Sequence, residues 1–472
     1  MPTSKKEIAL SYFIRDPEGG PNGYICQCGT RRTQDIKKGY QNLASHVFAQ
    51  HSDYEKVMKK KVEGNAIHQF VNSKAQKVFT WLEWILMRNQ PFSEVEDPLT
   101  RALAKSNPIC RSTLMTYIKL VTVETENKIK EELPDRFGIV LDGWSEGSTH
   151  YIAVFAAFEK DGVSKMPLLA IAPPLDEENY DAESHKAFIT YVLETFGKRL
   201  NDLIYMVADN ASVNRRLSEL LGIPLIGCAS HRFNLAVKKF LLEYEDILLK
   251  IHNLMKALGN IKQAGKLRKS TNLRPVKRNV TRWSSTFAML ERFYAIKEFI
   301  DQEDPELAIH FPTGMENVRL QRLFKDMQEF EIITKQLQKV SCSLSDVRAI
   351  FDETISTYPA MAFHLASDAQ IVQSPNFEKG IVKVLDDKTD QLTFDEHAAV
   401  SCFQDAGLIV EDQERETSPN ASDQTISLVQ KALQRKRRRL GDNVKYKNLA
   451  LVPATSNAVE RLFSNCRLVL TD

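Results

Sequence analysis

Between residues 137 and 227, short apolar runs alternate with polar stretches. Residues 138–142, 151–159, 166–173, 203–208 and 224–227 are each apolar runs closed by polar or turn residues. Runs of this length and boundary suit strands of a buried sheet. Asp161-Gly162, between the second and third runs, is a hairpin turn signal. After the third run, Phe188, Tyr191, Val192 and Phe196 recur at helical steps, with Ser184 placed to cap the helix and Gly197 near its end. Further helices are expected from Ser212 to near Gly222 and from His231 to Tyr244. Three strands followed by alternating helices and strands predict an α/β unit, a mixed sheet flanked by helices, over 135–244.

Helical periodicity governs the flanks. Over 66–87, Phe70, Val71, Val78, Phe79, Leu82, Ile85 and Leu86 form a stripe read as a packing face, broken by Gln90-Pro91-Phe92. A second helix is expected over 112–132, ending before Pro134. Residues 245–445 are mostly helical by period, as over 287–300 and 320–340, with a polar segment at 412–425 that reads as a flexible loop.

Length and charge refine this picture. A chain of 472 residues with 43% hydrophobic content should hold two to four domains. Seven cysteines, an odd number, argue against a secreted disulfide framework and for a reducing compartment. No apolar core of a signal peptide opens the chain, and no apolar run is long enough for a membrane span. The net charge of +2 announces no partner, but local charge does. Arg435-Lys436-Arg437-Arg438-Arg439 and the segment 262–282 are basic clusters of the kind that bind phosphates or lie solvated in loops. The first also reads as a nuclear import signal.

Residues 24–51 carry candidate metal chemistry. Cys26 and Cys28 precede a basic stretch and then His46 and His51, with 17 residues between Cys28 and His46. Two sulfurs and two imidazoles suit tetrahedral zinc, although one residue between the cysteines is shorter than the usual finger spacing. Arg31, Arg32, Lys37 and Lys38 lie between the ligand pairs, where a helix carrying His46 would bring them to DNA phosphates. The region resembles a BED-type zinc finger.

Three acidic residues sit in distinctive settings. Asp142 ends the first apolar run and precedes Gly143-Trp144-Ser145; Asp209 ends the 203–208 run and precedes Asn210-Ala211; Glu460 lies in Thr455-Ser456-Asn457-Ala458-Val459-Glu460-Arg461-Leu462-Phe463-Ser464. Hard carboxylate oxygens suit magnesium or manganese. An Asp at a strand end is as often a turn residue. Two further words lie between them in order: Cys228-Ala229-Ser230-His231 and Thr281-Arg282-Trp283-Ser284-Ser285.

Together these five words, spread over about 320 residues, resemble those of the hAT superfamily of DNA transposases. The resemblance implies an RNase H-like core with an α-helical insertion and a small N-terminal zinc finger. It divides the chain into a finger (1–60), a helical linker (61–134), the first part of the core (135–244), a helical insertion (245–445) and a core-completing segment (446–472). Asp142, Asp209 and Glu460 become a catalytic triad holding Mg2+ or Mn2+ for DNA strand cleavage and transfer, with double-stranded DNA as partner and the nucleus as location. Cys228 and His231 become core residues beside that site, and Trp283 either a base-stacking residue or a buried one, with Arg282 as a DNA contact. The family's C-terminal region, which holds subunits together, continues past the point matching Asp472. A homo-oligomer is therefore expected to be weakened. The alternative reading is a truncated or domesticated, non-catalytic DNA-binding protein of transposon origin.

Overall fold

The computed structural model describes residues 5–16, 20, 22–35, 39–51, 54, 73–104, 109–279, 282–404, 446 and 448–470. The basic run at 435–439, the polar segment 412–425, Thr281, Lys37 and Lys38 lie outside them. The chain forms two compact units, residues 1–121 and 122–472, whose boundary falls inside the helix Arg111–Glu132.

In the first unit, strands β1 (Phe13–Arg15), β2 (Gly23–Cys26) and β3 (Arg31–Thr33) form an antiparallel sheet in sequential order. Helices Lys5–Tyr12 and Gln41–Gln50 pack against it through Ile8, Ala9, Tyr12, Leu43 and Val47, which meet Phe13, Tyr24 and Cys26. This small core places Cys26 at the inner end of β2. The helix Ser73–Arg88 packs along Val78, Trp81, Leu82 and Ile85 against Val95 and Leu114. Sequence periodicity included Phe79 and Leu86 in that stripe, yet both are exposed. Trp81, three residues after Val78 and four before Ile85, takes the inward position instead, which narrows the buried face to one side of the helix. Residues 66–72 lie outside the described residues.

The second unit is a mixed α/β structure built on a six-stranded sheet. Strands β4 (Phe137–Glu146), β5 (Thr149–Lys160), β6 (Val163–Lys165), β7 (Leu168–Ala172), β8 (Leu203–Ala208) and β9 (Leu225–Gly227) are ordered β6-β5-β4-β8-β9, with β7 also paired to β5. β4, β5, β6 and β7 pair antiparallel, whereas β4–β8 and β8–β9 are parallel. Asp161 and Gly162 turn β5 into β6 with φ of 54° and 73°. Two consecutive positive φ values match the twist of a tight hairpin. Helices Ala182–Thr195 and Ser212–Leu221 make the crossovers between the parallel strands. The first is capped by Asp181, whose side chain accepts from the Ser184 amide, rather than by Ser184. A carboxylate one turn earlier satisfies the orphan amide with charge as well as geometry.

Alternation along the strands splits the core in two. Ile139, Leu141, Ile152, Val154 and Met206 face the crossover helices through Phe188, Ile189, Val192 and Leu217. Val140, Ala153, Ala157, Tyr205, Val207 and Ile226 face the helices that follow residue 228. Those helices, among them Ala229–Leu241, Glu245–Leu258, Ser284–Ile296, Gly314–Leu337, Leu344–Thr357 and Pro375–Leu385, share one continuous hydrophobic cluster with that sheet face. Among the described residues no helix is long and apolar enough to cross a membrane.

Candidate active site and metal centre

In the first unit, the Cys26–Thr30 turn determines where the two sulfurs go. The Cys26 amide donates to the Thr30 carbonyl at 2.9 Å and the Gly29 amide to the Cys26 carbonyl at 2.8 Å. Gly29 adopts φ 86°, a conformation a side chain would disfavour. The turn folds Cys28 back beside Cys26, so one intervening residue suffices. His46 projects from the Gln41–Gln50 helix and His51 from its end. Cys26 Sγ lies 3.2 Å from His51 Nε2 and Cys28 Sγ 3.4 Å from His46 Nε2. The four ligand atoms all lie within 4.8 Å of one another. A tetrahedral zinc with ordinary Zn–S and Zn–N bonds has sulfur–nitrogen edges of about 3.5 Å. The group could therefore hold a metal such as zinc. Hydrogen bonds from Thr30, and secondarily the His46 contact, pull the Cys28 thiol down to about 5, favouring the thiolate that a metal needs. Burial pushes Cys26 the other way. Arg31 and Arg32 are exposed on β3, with Arg31 Nε 3.3 Å from Asp16.

In the second unit, three acidic residues from distant segments come near one another where the central strands β4 and β8 part, near enough for the charges of Asp209 and Glu460 to act on Asp142. Sequence reasoning ended the first strand at Asp142, but β4 runs on to Glu146 because Asp142 through Glu146 pair with Ala153 through Thr149 of β5. On its other side β4 pairs with β8 only as far as Val140–Val207. Asp142 is thus mid-strand toward β5 and past the end of the pairing toward β8. Asp209 follows the last residue of β8. Glu460 lies in the first turn of the helix Asn457–Leu470.

Their charges act on one another. Burial, then the charge of Asp209 and, more weakly, that of Glu460 push the Asp142 carboxyl up to about 7, against the Gly143 amide and Arg282, which favour its ionised form. Asp142 and Asp209 are each held by one oxygen. Asp142 Oδ1 accepts from the Gly143 amide at 2.8 Å. Asp209 Oδ1 accepts from Asn214 Nδ2 at 2.6 Å and from the Ala211 amide at 3.0 Å. Glu460 is held differently: Arg282 Nη2 donates to its Oε2 at 2.7 Å.

Long-range contacts bring Glu460 to this place. The Ala229 amide donates to the Ala454 carbonyl at 3.0 Å, the Ser456 amide to Cys228 Sγ at 3.3 Å, and Asn457 Nδ2 to Ser230 Oγ at 3.0 Å. The two sequence words around Cys228 and Ser456 are thus stitched together. Trp144 stacks between Tyr151 and Phe463, with ring centroids 5.6 and 5.5 Å away, and fastens the Glu460 helix to β4. Arg467 adds an ion pair to Glu146 at 3.5 Å.

Cys228 and His231 occupy different settings. Cys228 is buried and accepts the Ser456 amide, while His231 lines a neighbouring cleft of about 400 Å³. That cleft is also lined by Lys238, Arg282, Trp283, Lys335, Asn457 and Glu460. Trp283 contributes to its wall but is only 4% exposed and sits edge-on to Phe330. In this conformation its ring belongs to the core rather than offering a face for stacking.

Sequence reasoning missed three supporting groups. Asn214 was visible as an amide one turn into the helix after Asp209. Phe463 was visible as an aromatic three residues after Glu460. Arg232 gave no signal beyond its place after His231. It is 3% exposed, pairs with Glu378 at 3.2 Å and donates to the carbonyls of His364 and Ala366, clamping the helical region onto the end of β9. The chain matches no family model, and no curated protein matches it.

Proposed function

We propose that this protein is a hAT-type transposase: a zinc-stabilised N-terminal module binds double-stranded DNA, and Asp142, Asp209 and Glu460 serve metal-dependent strand cleavage and transfer. The observation that carries this reading is the convergence of three carboxylates where the central strands β4 and β8 part, with Asp142 pushed up to about 7 by burial and by the charges of its two neighbours. A buried Asp142 carboxyl that resists ionisation beside two other carboxylates is a poor structural device and a fitting seat for divalent cations. The strand order, antiparallel β5–β4 followed by parallel β8 and β9, supports an RNase H-like core.

The donor set fits hard cations, since all three groups are carboxylates. Bound ions of this kind supply an activated water or 3′-hydroxyl and stabilise the leaving oxygen. The chain's own residues do the rest. The Gly143 and Ala211 amides and Asn214 orient the two aspartates through Oδ1, which leaves each Oδ2 for a ligand. The adjoining cleft carries Lys238, Arg282 and Lys335, of which Arg282 is paired with Glu460 and Lys335 with Glu331, so Lys238 is the cation there best placed to meet a phosphodiester. The basic run at 435–439, of the kind that serves as a nuclear import signal, supports action in the nucleus.

The test is nicking of an end-containing duplex with Mg2+ or Mn2+. Asp142→Asn should abolish nicking and leave duplex affinity within about twofold, because the phosphate contacts remain. Nicking that survives Asp142→Asn removes the triad assignment. The second reading, a non-catalytic DNA-binding protein, is favoured by the Arg282–Glu460 pair, which occupies the third carboxylate. Duplex binding without nicking in the unaltered chain would select it.

A further inference from the structure

The three carboxylates are held in two ways. Asp142 and Asp209 each rest one oxygen on neutral donors, the Gly143 and Ala211 amides and the Asn214 side chain. These donors orient an oxygen without cancelling its charge. Glu460 is instead engaged by a full positive charge, the Arg282 guanidinium at 2.7 Å. Arg282 reaches it across 178 positions of sequence. Its side chain is 61% exposed and that of Glu460 31%. Arg282 also lines the cleft shared with His231, Lys238, Lys335 and the acidic Glu331, and so lies within reach of an anion that enters it.

Only Nη2 of the guanidinium engages Glu460, and a guanidinium shared between two anions holds each less firmly than it holds one. Its planar fork suits a phosphate at least as well as a carboxylate. An anion entering the cleft therefore competes with Glu460 for Arg282. We infer that Arg282 is a latch on the third carboxylate: it holds Glu460 while the cleft is empty and releases it when a phosphodiester takes the guanidinium. Arg282 is then a positioning residue that couples substrate arrival to completion of the metal seat. Such coupling is reciprocal, so the anion strengthens cation binding as much as the cation strengthens anion binding. The latch would keep a cleavage-competent site from assembling without substrate. This inference rests on the metal-site reading above.

The strength is modest by construction. A half-exposed ion pair biases an equilibrium by no more than about fivefold.

The experiment measures Mn2+ binding to the full, zinc-loaded chain from the free-ion electron paramagnetic resonance signal. Sulfate serves as the oxyanion probe, against chloride at matched ionic strength. In chloride, Arg282→Ala and Arg282→Gln should each bind Mn2+ about three- to fivefold more tightly than the unaltered chain. Sulfate should tighten Mn2+ binding in the unaltered chain and leave both variants unchanged. Lys238→Ala removes a positive charge from the same cleft but not from Glu460, and should move Mn2+ affinity far less. The latch is overturned if the Arg282 variants bind Mn2+ no more tightly, if sulfate has no effect on the unaltered chain, or if Lys238→Ala matches Arg282→Ala. Asp142→Asn separates the two ideas. If it loses Mn2+ while the Arg282 variants behave like the unaltered chain, only the latch falls. If it binds Mn2+ normally, the metal seat itself is wrong.

Discussion

Asp142→Asn should make the metal-free protein more stable. The carboxyl moves from an ordinary value of 3.8 to about 7 on folding, driven by burial and by the charges of Asp209 and Glu460. A raised folded-state value means that the folded protein binds more protons than the unfolded chain between those two pH values. Stability therefore falls as pH rises through that window, and the full cost is present above pH 7. Roughly three units at about 1.4 kcal/mol each set a ceiling near 4 kcal/mol. Asparagine keeps the shape and the Oδ1 acceptor for the Gly143 amide, so little else changes. In magnesium-free buffer at pH 8, urea unfolding of the variant should show a gain of about 2–4 kcal/mol. Near pH 5 the gain should shrink to half or less, because the folded carboxyl is then mostly protonated. Millimolar Mg2+ should narrow the gap at pH 8 by stabilising the unaltered chain alone. A variant no more stable than the parent at pH 8, or a gain independent of pH, would refute the electrostatic account.

Three further outcomes follow from other parts of the structure. Phe463→Ala removes a side chain 6% exposed from the stack on Trp144 and should cost about 3 kcal/mol in urea unfolding, with nicking lost beyond what the stability change explains, since the Glu460 helix loses its anchor; a variant with normal nicking would show that the stack does not position Glu460. Lys250 donates to Glu316 at 2.6 Å and holds its carboxyl down to about 2. A lowered carboxyl stabilises above its unfolded value and loses that contribution as pH falls toward 2. Lys250→Met should accordingly move the acid-unfolding midpoint, followed by circular dichroism, to higher pH, and an unmoved midpoint would discount the pair. Cys28→Ser should lower bound zinc from one per chain toward none in elemental analysis of the full protein, and retention of a full equivalent would exclude Cys28 as a ligand.

Much of the local structure was legible without coordinates because it follows from local rules. The apolar runs at 138–142 and 203–208 became the paired strands β4 and β8, since buried parallel strands need continuous hydrophobic sequence. Asp161-Gly162 announced its hairpin because few residue pairs tolerate consecutive positive φ values. Cys26, Cys28, His46 and His51 could be grouped because all four lie within 26 residues of one another, where spacing limits geometry.

Other features depend on what lies opposite in space. β4 runs past Asp142 because Ala153 through Thr149 of β5 pair with it, while β8 stops short and leaves the carboxylate where the two strands part. Trp283 stands in a basic segment, yet Phe287 and Phe330 supply an apolar enclosure and the ring is buried among them. Arg282 pairs with a residue 178 positions away, which no local pattern could name. The sequence by itself determined which segments become strands, turns and ligand-bearing loops, because backbone preference and hydrophobic period act over a few residues. Only the tertiary structure decided how the charges combine. The shift of Asp142, the neutral support of Asp209 and the engagement of Glu460 by Arg282 all depend on distance and burial, and those exist only once the chain has folded.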